Sequence, residues 1–96
     1  MRLNEIKKRL LKFKPELEKS YNVEEIGIFG SYVRNEQKED SDLDILVEFR
    51  EVPGLFKFMH LEDYLSSILG IKVDLVRKKA LKPRIGRYIL NEVVYI

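Results

Sequence analysis

Residues 30–47 read GSYVRNEQKEDSDLDILV and join two runs that favour β-structure through a polar loop. The first run, residues 26–29, ends at a Gly-Ser pair, and the second begins within an Asp-Leu-Asp sequence. Because side chains alternate between the faces of a strand, Asp42 and Asp44 share one face, with Cα atoms roughly 6.5 Å apart. Two carboxylates held this close repel each other unless a cation lies between them. Ligands that are all oxygen suit Mg²⁺, which keeps several waters and binds carboxylates together with phosphates.

The beginning of the same stretch offers groups that can contact a phosphate. Gly30 has no Cβ, so a phosphate can approach its backbone closely. Ser31 supplies a hydroxyl and an N–H, and Arg34 supplies a charge-assisted hydrogen bond. Residues 31–35 are predicted to form the first turn of a helix, whose free N–H groups and partial positive charge favour an anion. Residues 36–41 are charged and aperiodic, which predicts an exposed loop.

A third acidic residue lies in a later strand. Asp74 follows Val73 and precedes Leu75. An aspartate in the middle of an apolar strand is disfavoured by β-propensity and by burial, and it is tolerated when it is paired or binds a metal. Asp74 is therefore a further candidate ligand. Glu48 shares the face of Asp44, but its distance from the start of the strand favours a salt bridge or solvation.

Alone, each of these features is most often a solvated turn or a surface acid. Their order, with Gly-Ser, a polar loop, Asp-x-Asp and an aspartate on a later strand, resembles the minimal nucleotidyltransferase (MNT) family of the DNA polymerase beta superfamily. The resemblance extends over nearly all 96 residues. It departs at Asn35, where many relatives carry a small residue, often glycine. Asparagine tolerates the left-handed backbone region better than most residues, so the departure has little consequence.

The resemblance implies Mg²⁺-dependent transfer of a nucleoside monophosphate from a nucleoside triphosphate to a hydroxyl group, with two metal ions. Asp74 would also help to deprotonate the acceptor. The implied catalytic and metal-binding residues are Asp42, Asp44 and Asp74, and the implied nucleotide-binding residues are Gly30, Ser31 and Arg34.

The acceptor is implied by the resemblance alone. Short members of this family are commonly antitoxins that transfer AMP from ATP to a tyrosine of a HEPN-family ribonuclease toxin. Two alternatives stay open. One is a non-catalytic antitoxin that neutralises its partner by occlusion, which would not need three costly carboxylates. The other is a nucleotidyltransferase subunit that acts on a small molecule and depends on a partner for substrate binding.

Composition limits the other classes of function. The 96 residues predict one domain, residues 1–96, and the 18 basic and 16 acidic residues nearly balance, so direct nucleic-acid binding is not expected. There is no cysteine, and a single histidine, His60, makes a zinc site or a Ser-His-Asp triad hard to build. Without an apolar run of roughly 18 residues or a signal peptide, we expect a cytoplasmic protein with no membrane contact.

Hydrophobic periodicity predicts the helices. Leu3, Ile6, Leu10 and Phe13 recur at helical spacing and predict a helix over residues 2–13. Pro15 is expected to end it, because proline lacks an N–H and clashes with the preceding turn. Three further helical segments are predicted, over residues 15–22, over residues 55–69 before Gly70, and from Pro83 onward.

Three strands are predicted, over residues 25–29, 43–49 and 71–77. With the helices they make a small α/β (α+β) fold with a three-stranded sheet. The residues between the second and third strands are long enough for a parallel crossover, whereas the first and second strands fit either direction. The resemblance favours a mixed sheet with the three aspartates at one edge. The apolar tail, residues 93–96, fits either a core seal or a partner contact.

Overall fold

The computed structural model describes all of residues 1–96 and contains an α+β arrangement of helices around one mixed sheet. None of its helices combines the length and the apolar character needed to cross a membrane. The elements, in chain order, are α1 (Leu3–Tyr21), β1 (Val23–Phe29), β2 (Leu43–Phe49), α2 (Leu55–Leu69), β3 (Val73–Arg77), a 3₁₀ turn (Lys78–Ala80), α3 (Pro83–Glu92) and β4 (Val94–Tyr95).

The sheet has the strand order β3-β2-β1-β4. β2 and β3 are parallel, since α2 provides the crossover between them, and β1 pairs antiparallel with β2. The mixed sheet expected from the resemblance is therefore confirmed, and the direction left open for the first two strands is antiparallel. The predicted bounds of β2 and α2 match the structure, whereas β1 starts two residues earlier than predicted and β3 two residues later.

A fourth strand extends the predicted three-stranded sheet. In β4, Val94 pairs with Ile28 and Tyr95 pairs with Gly27, and the N–H of Ile96 donates to the carbonyl of Ile26 at 2.9 Å. A two-residue strand is too short to produce an alternating pattern, which is why periodicity did not predict it. The apolar tail thus serves the fold by covering an edge of the sheet.

The first helix is continuous, so the predicted break at Pro15 is wrong. α1 carries Pro15 in its interior and ends at Asn22, whose φ of 56° gives a left-handed C-cap. Its buried residues lie on both sides of the proline and belong to one face of one helix: Ile6, Leu10, Leu17 and Tyr21. Burial of that continuous face against the core offsets the hydrogen bond that proline cannot make.

The two faces of the sheet differ in what covers them. On β2, Leu43, Ile45 and Val47 are fully buried and belong to the core cluster that also holds residues of α1 and α2. Asp44 belongs to the alternate set of positions and points to the opposite face. On that opposite face Leu46 and Glu48 are also buried, whereas Asp44 is only partly buried. The well-packed face supplies the core, and the other face leaves room for polar side chains.

We predict that Gly27→Ala loosens β4. A Cβ at residue 27 would lie 2.6 Å from Val93 Cγ2 and 3.1 Å from the carbonyl oxygen of Val94. Overpacking of this kind costs about 1–3 kcal/mol of the free energy of unfolding, which urea titration would measure.

Because Val93 supplies the nearest atom, Val93→Ala should return part of that loss when it is combined with Gly27→Ala. The double-mutant cycle should therefore be clearly non-additive. Equal stability of Gly27→Ala and the wild type would show that β4 does not pack on Gly27 as described.

Candidate active site

Two of the three predicted aspartates lie side by side in the sheet. Asp44 of β2 and Asp74 of β3 are direct partners in the parallel register. Neighbouring strands are about 4.8 Å apart, so the two side chains leave the sheet next to each other on one face. Asp42 precedes β2 by one residue and is exposed. The order of the strands therefore brings together Asp44 and Asp74, which are 30 positions apart in the chain.

Asp74 is exposed on the edge strand β3, which corrects one premise of the sequence analysis. A buried aspartate had been expected from its apolar neighbours in the sequence. Because the side chain is exposed, it has no burial cost to offset. Asp44 is the partly buried member of the set.

The surroundings of Asp44 shift the pKa of its carboxyl group. Burial, and then the nearby carboxylates of Asp74 and Asp42, raise the pKa of Asp44 to about 6, while Arg34 acts in the opposite direction. Both causes disfavour the charged carboxylate. The charged form of Asp44 is therefore unfavourable in the protein alone. A bound cation would stabilise it.

Gly30 follows β1 and lies against Asp44. Its φ of 82° is in the left-handed region, and a Cβ at this position would overlap Asp44 Oδ2. Glycine is needed here both for the backbone conformation and for the space that the carboxylate occupies. The sequence analysis assigned this space to a phosphate, whereas in the structure the Asp44 side chain fills it.

The residues after Gly30 form an isolated turn, so the helix predicted to open at residues 31–35 is absent. The N–H groups of Val33 and Arg34 both donate to the carbonyl of Gly30, at 3.1 and 3.3 Å. Asn35 has a φ of 58°, as its tolerance for the left-handed region allows, and the chain then leaves the turn. The N–H of Ser31 donates to no backbone carbonyl. Although the segment forms only one turn, the N–H of Ser31 therefore remains as a hydrogen-bond donor beside the site.

Arg34 is held by two glutamates. Its Nε donates to Glu36 and its Nη1 donates to Glu92, each at 2.6 Å. The hydrogen bond to Glu92 is the main cause that raises the pKa of Arg34. Glu92 also accepts a hydrogen bond from the N–H of Gly30 at 2.9 Å. This glutamate ties the end of α3 to the Gly-Ser turn.

Glu92 was missed by the sequence analysis because no motif includes it. One signal was present. It is the last residue of α3, and the last turn of that helix carries no basic residue. The helix dipole disfavours a negative charge at a C-terminus, so an acid placed there needs a partner elsewhere in the fold.

The chemistry of the donor set fits a hard divalent cation. Asp42, Asp44 and Asp74 offer only carboxylate oxygens, and burial together with the two neighbouring carboxylates disfavours the charged form of Asp44. No three acidic or histidine side chains are gathered into a ready-made metal site. A cation here would therefore take part of its ligands from elsewhere, as Mg²⁺ does with water and substrate phosphates.

The other polar residues weighed from the sequence have structural roles. Glu48 is buried, accepts a hydrogen bond from the N–H of Phe49 at 3.0 Å and lies 3.8 Å from Arg77, which confirms a salt bridge. His60 forms a 2.8 Å hydrogen bond with the hydroxyl of Tyr21, far from the aspartates in the fold.

An open cleft of about 680 Å³ adjoins Asp42. Its walls are the amino end of the chain, the loop over residues 37–42 and the approach to β3 over residues 70–72. Arg2 and Lys72 line it together with acidic loop residues. The cleft is wide enough for part of a nucleotide or for an acceptor side chain.

Comparison with known proteins identifies the family to which this chain is similar. The nucleotidyltransferase domain family matches residues 7–96. The protein adenylyltransferase MntA of Thermococcus cleftensis is 55% identical over 94 residues, which cover 98% of this chain and 95% of that protein.

Two solved structures share the fold. One, a candidate minimal nucleotidyltransferase, has 34% identity and a TM-score of 0.81, covering 98% of this chain and 95% of that chain. Another, from a toxin–antitoxin structure with AMP-PNP, has 26% identity and a TM-score of 0.70, covering 96% and 69%. The resemblance read from the Gly-Ser and Asp-x-Asp pattern is thereby confirmed, and the chain belongs to the nucleotidyltransferase domain family.

Proposed function

We propose that this protein is a Mg²⁺-dependent protein adenylyltransferase that transfers AMP from ATP to a tyrosine of a HEPN-family ribonuclease toxin and so acts as its antitoxin. The observation that carries the proposal is the similarity to a protein adenylyltransferase, which covers 98% of this chain. The toxin–antitoxin neighbour with AMP-PNP supports both the adenine nucleotide and the role of antitoxin.

In the proposed reaction, the phenolic oxygen of the tyrosine attacks the α-phosphorus of ATP. The bond from that phosphorus to the oxygen that bridges the α- and β-phosphates breaks, and pyrophosphate leaves with the bonding electrons. The phenolic proton passes to the carboxylate of Asp74, which is exposed on an edge strand and accessible to an incoming side chain. The products are AMP-tyrosine and pyrophosphate.

The triphosphate would lie along the turn that follows β1. The N–H and hydroxyl of Ser31 can donate to its oxygens, and the guanidinium of Arg34 supplies a charge-assisted contact to the terminal phosphates. Gly30 keeps this segment close to Asp44. The groups that would contact the phosphates and the carboxylates of the aspartates thus lie together where β1 ends and β2 begins.

Asp42, Asp44 and Asp74 would hold Mg²⁺, with two ions as the proposed number. When bound, Mg²⁺ would neutralise charge on the phosphates and make the acceptor hydroxyl easier to deprotonate. The three carboxylates then orient the bound nucleotide toward the acceptor. We place the reaction in the cytoplasm, where ATP and the proposed ribonuclease partner are both accessible.

The direct test combines the protein with Mg²⁺, ATP labelled on the α-phosphate, and a HEPN-family partner encoded beside it. We expect label on the partner, a partner mass increased by whole AMP units, and loss of labelling when the acceptor tyrosine is changed to phenylalanine. An unmodified partner that is nevertheless inhibited would favour occlusion, and labelling of a small molecule would favour the third alternative.

We predict that Asp44→Asn abolishes transfer and raises the stability of the metal-free protein at pH 7.5. The folded pKa of about 6 is above the unfolded value of 3.8, so the wild type loses stability as pH rises between these values. Asparagine should recover about 1 kcal/mol at pH 7.5, less than the full shift because the carboxyl is partly exposed, and nothing near pH 3.

Thermal melts at both pH values, with and without Mg²⁺ and ATP, would measure this. The wild type should gain stability from Mg²⁺ with ATP, and Asp44→Asn should not. An active variant that keeps the Mg²⁺-dependent gain would remove Asp44 from the proposed metal site.

We predict that Asp74→Asn separates chemistry from binding. Asp42 and Asp44 remain to hold the metal that accompanies ATP, so nucleotide affinity and partner binding should persist. Transfer should fall by roughly 10²–10⁴-fold, the usual range for loss of a positioned proton acceptor. Rates of label transfer and co-purification with the partner would measure the two properties separately.

Asp63→Asn is the matched control, since Asp63 is an exposed aspartate on α2. It should transfer AMP at the wild-type rate. If Asp74→Asn were as active as this control, Asp74 would have no part in the chemistry, and full protection by an inactive variant would favour the occlusion mechanism.

A further inference from the structure

The carboxylate of Glu92 binds Arg34, which the proposed function assigns to the triphosphate, and the backbone N–H of Gly30, at the start of the turn along which the triphosphate would lie. One of its oxygens accepts from the N–H of Gly30 and the other from the guanidinium of Arg34. A phosphate group engages such a pair in the same way, with separate oxygens on one centre accepting from a backbone amide and an arginine. Glu92 therefore occupies donors that a bound phosphate could use.

We propose that Glu92 competes with the terminal phosphates of the nucleotide for Gly30 and Arg34, and that nucleotide binding displaces it. The inference rests on the proposed function and adds a regulatory contact to that site. Glu92 would thus act as an internal competitor that lowers the affinity for ATP. The contact would also hold the end of α3 against the Gly-Ser turn until the nucleotide arrives.

The surroundings of Glu92 make its displacement easy. The residue ends α3, where the helix dipole opposes its charge, and its side chain is 21% exposed. Gly86 is the buried residue of α3, and the helix contributes no side chain to the core cluster. A triphosphate carries more charge than one carboxylate and can bind Arg34 and the Ser31 N–H together. The exchange of one anion for the other is therefore favourable when a nucleotide is present.

A different role for Glu92 would give the opposite result. If it held Arg34 in the orientation that a phosphate needs, removing it would weaken ATP binding. If it competes, removing it would strengthen ATP binding, since the fraction of protein with free donors limits the apparent affinity. The sign of the change in dissociation constant thus separates a positioning residue from a competitor.

The test measures the dissociation constant for ATP with Mg²⁺ in the wild type, Glu92→Gln and Glu36→Gln. Glutamine keeps the size of the side chain and removes its charge. For Glu92→Gln we expect affinity to rise about tenfold, equivalent to ~1.4 kcal/mol. Glu36→Gln is the matched control, because Glu36 also pairs with Arg34 but is 60% exposed and makes no hydrogen bond to Gly30. Its affinity should change less than threefold.

Two further measurements use the same proteins. AMP lacks the β- and γ-phosphates, so its affinity should be nearly equal in wild type and Glu92→Gln. Thermal melts should show Glu92→Gln less stable than wild type without nucleotide, with the difference lost or reversed at saturating ATP. A residue with only a structural role would lower the melting temperature equally under both conditions.

The outcomes separate this inference from the proposed function. Tighter ATP binding by Glu92→Gln alone, with unchanged AMP binding, supports competition. ATP binding by the wild type with equal or weaker binding by Glu92→Gln overturns the competition and leaves the proposed function intact. Absence of ATP binding in all three proteins overturns both.

Discussion

The arrangement of this protein depends on one close contact, that of the Asp44 carboxylate with Gly30. The carboxylate occupies the space that any other side chain at residue 30 would fill. β1 and β2 pair so that Phe29 opposes Asp44, which brings the end of one strand onto the start of the other. A turn at this point therefore presents its amide groups beside a carboxylate, and β3 adds Asp74 in register. The antiparallel and parallel pairings of β2 are both needed to build the site.

Stability and function are divided between the two faces of this sheet. The face of Leu43, Ile45 and Val47 is fully buried under α1 and α2 and requires no polar partner. The opposite face holds Asp44, whose pKa is raised by burial and by the carboxylates of Asp74 and Asp42. A protein can hold such an unfavourable charge at a functional site when its core supplies enough stability to offset the loss in folding free energy. The continuous packing of α1 across Pro15 is part of that core.

The sequence predicted well wherever a local pattern was long enough. β2 and α2 were predicted with their observed bounds, because a seven-residue run rich in apolar residues and fifteen positions with a helical period are both strong local signals. The break at Pro15 was wrong because local propensity was given more weight than burial on both sides of it. β4 was missed because two residues have no period. Glu92 was missed for a different reason, since its partners, Gly30 and Arg34, are about 60 positions away and only the fold brings them together.

The charges at the site affect whether a nucleotide would bind as the free anion or as its Mg²⁺ complex. Asp44 lies near the carboxylates of Asp74, Asp42 and Glu92, and the guanidinium of Arg34 is already engaged by Glu36 and Glu92. A bare triphosphate would meet net negative charge and an occupied arginine, so its approach would be unfavourable. A nucleotide that carries Mg²⁺ brings compensating charge for the aspartates, and its phosphates can then replace a glutamate on Arg34. The three carboxylates would thus favour the metal complex of the nucleotide over the free nucleotide, and metal binding would then be coupled to phosphate binding at this site.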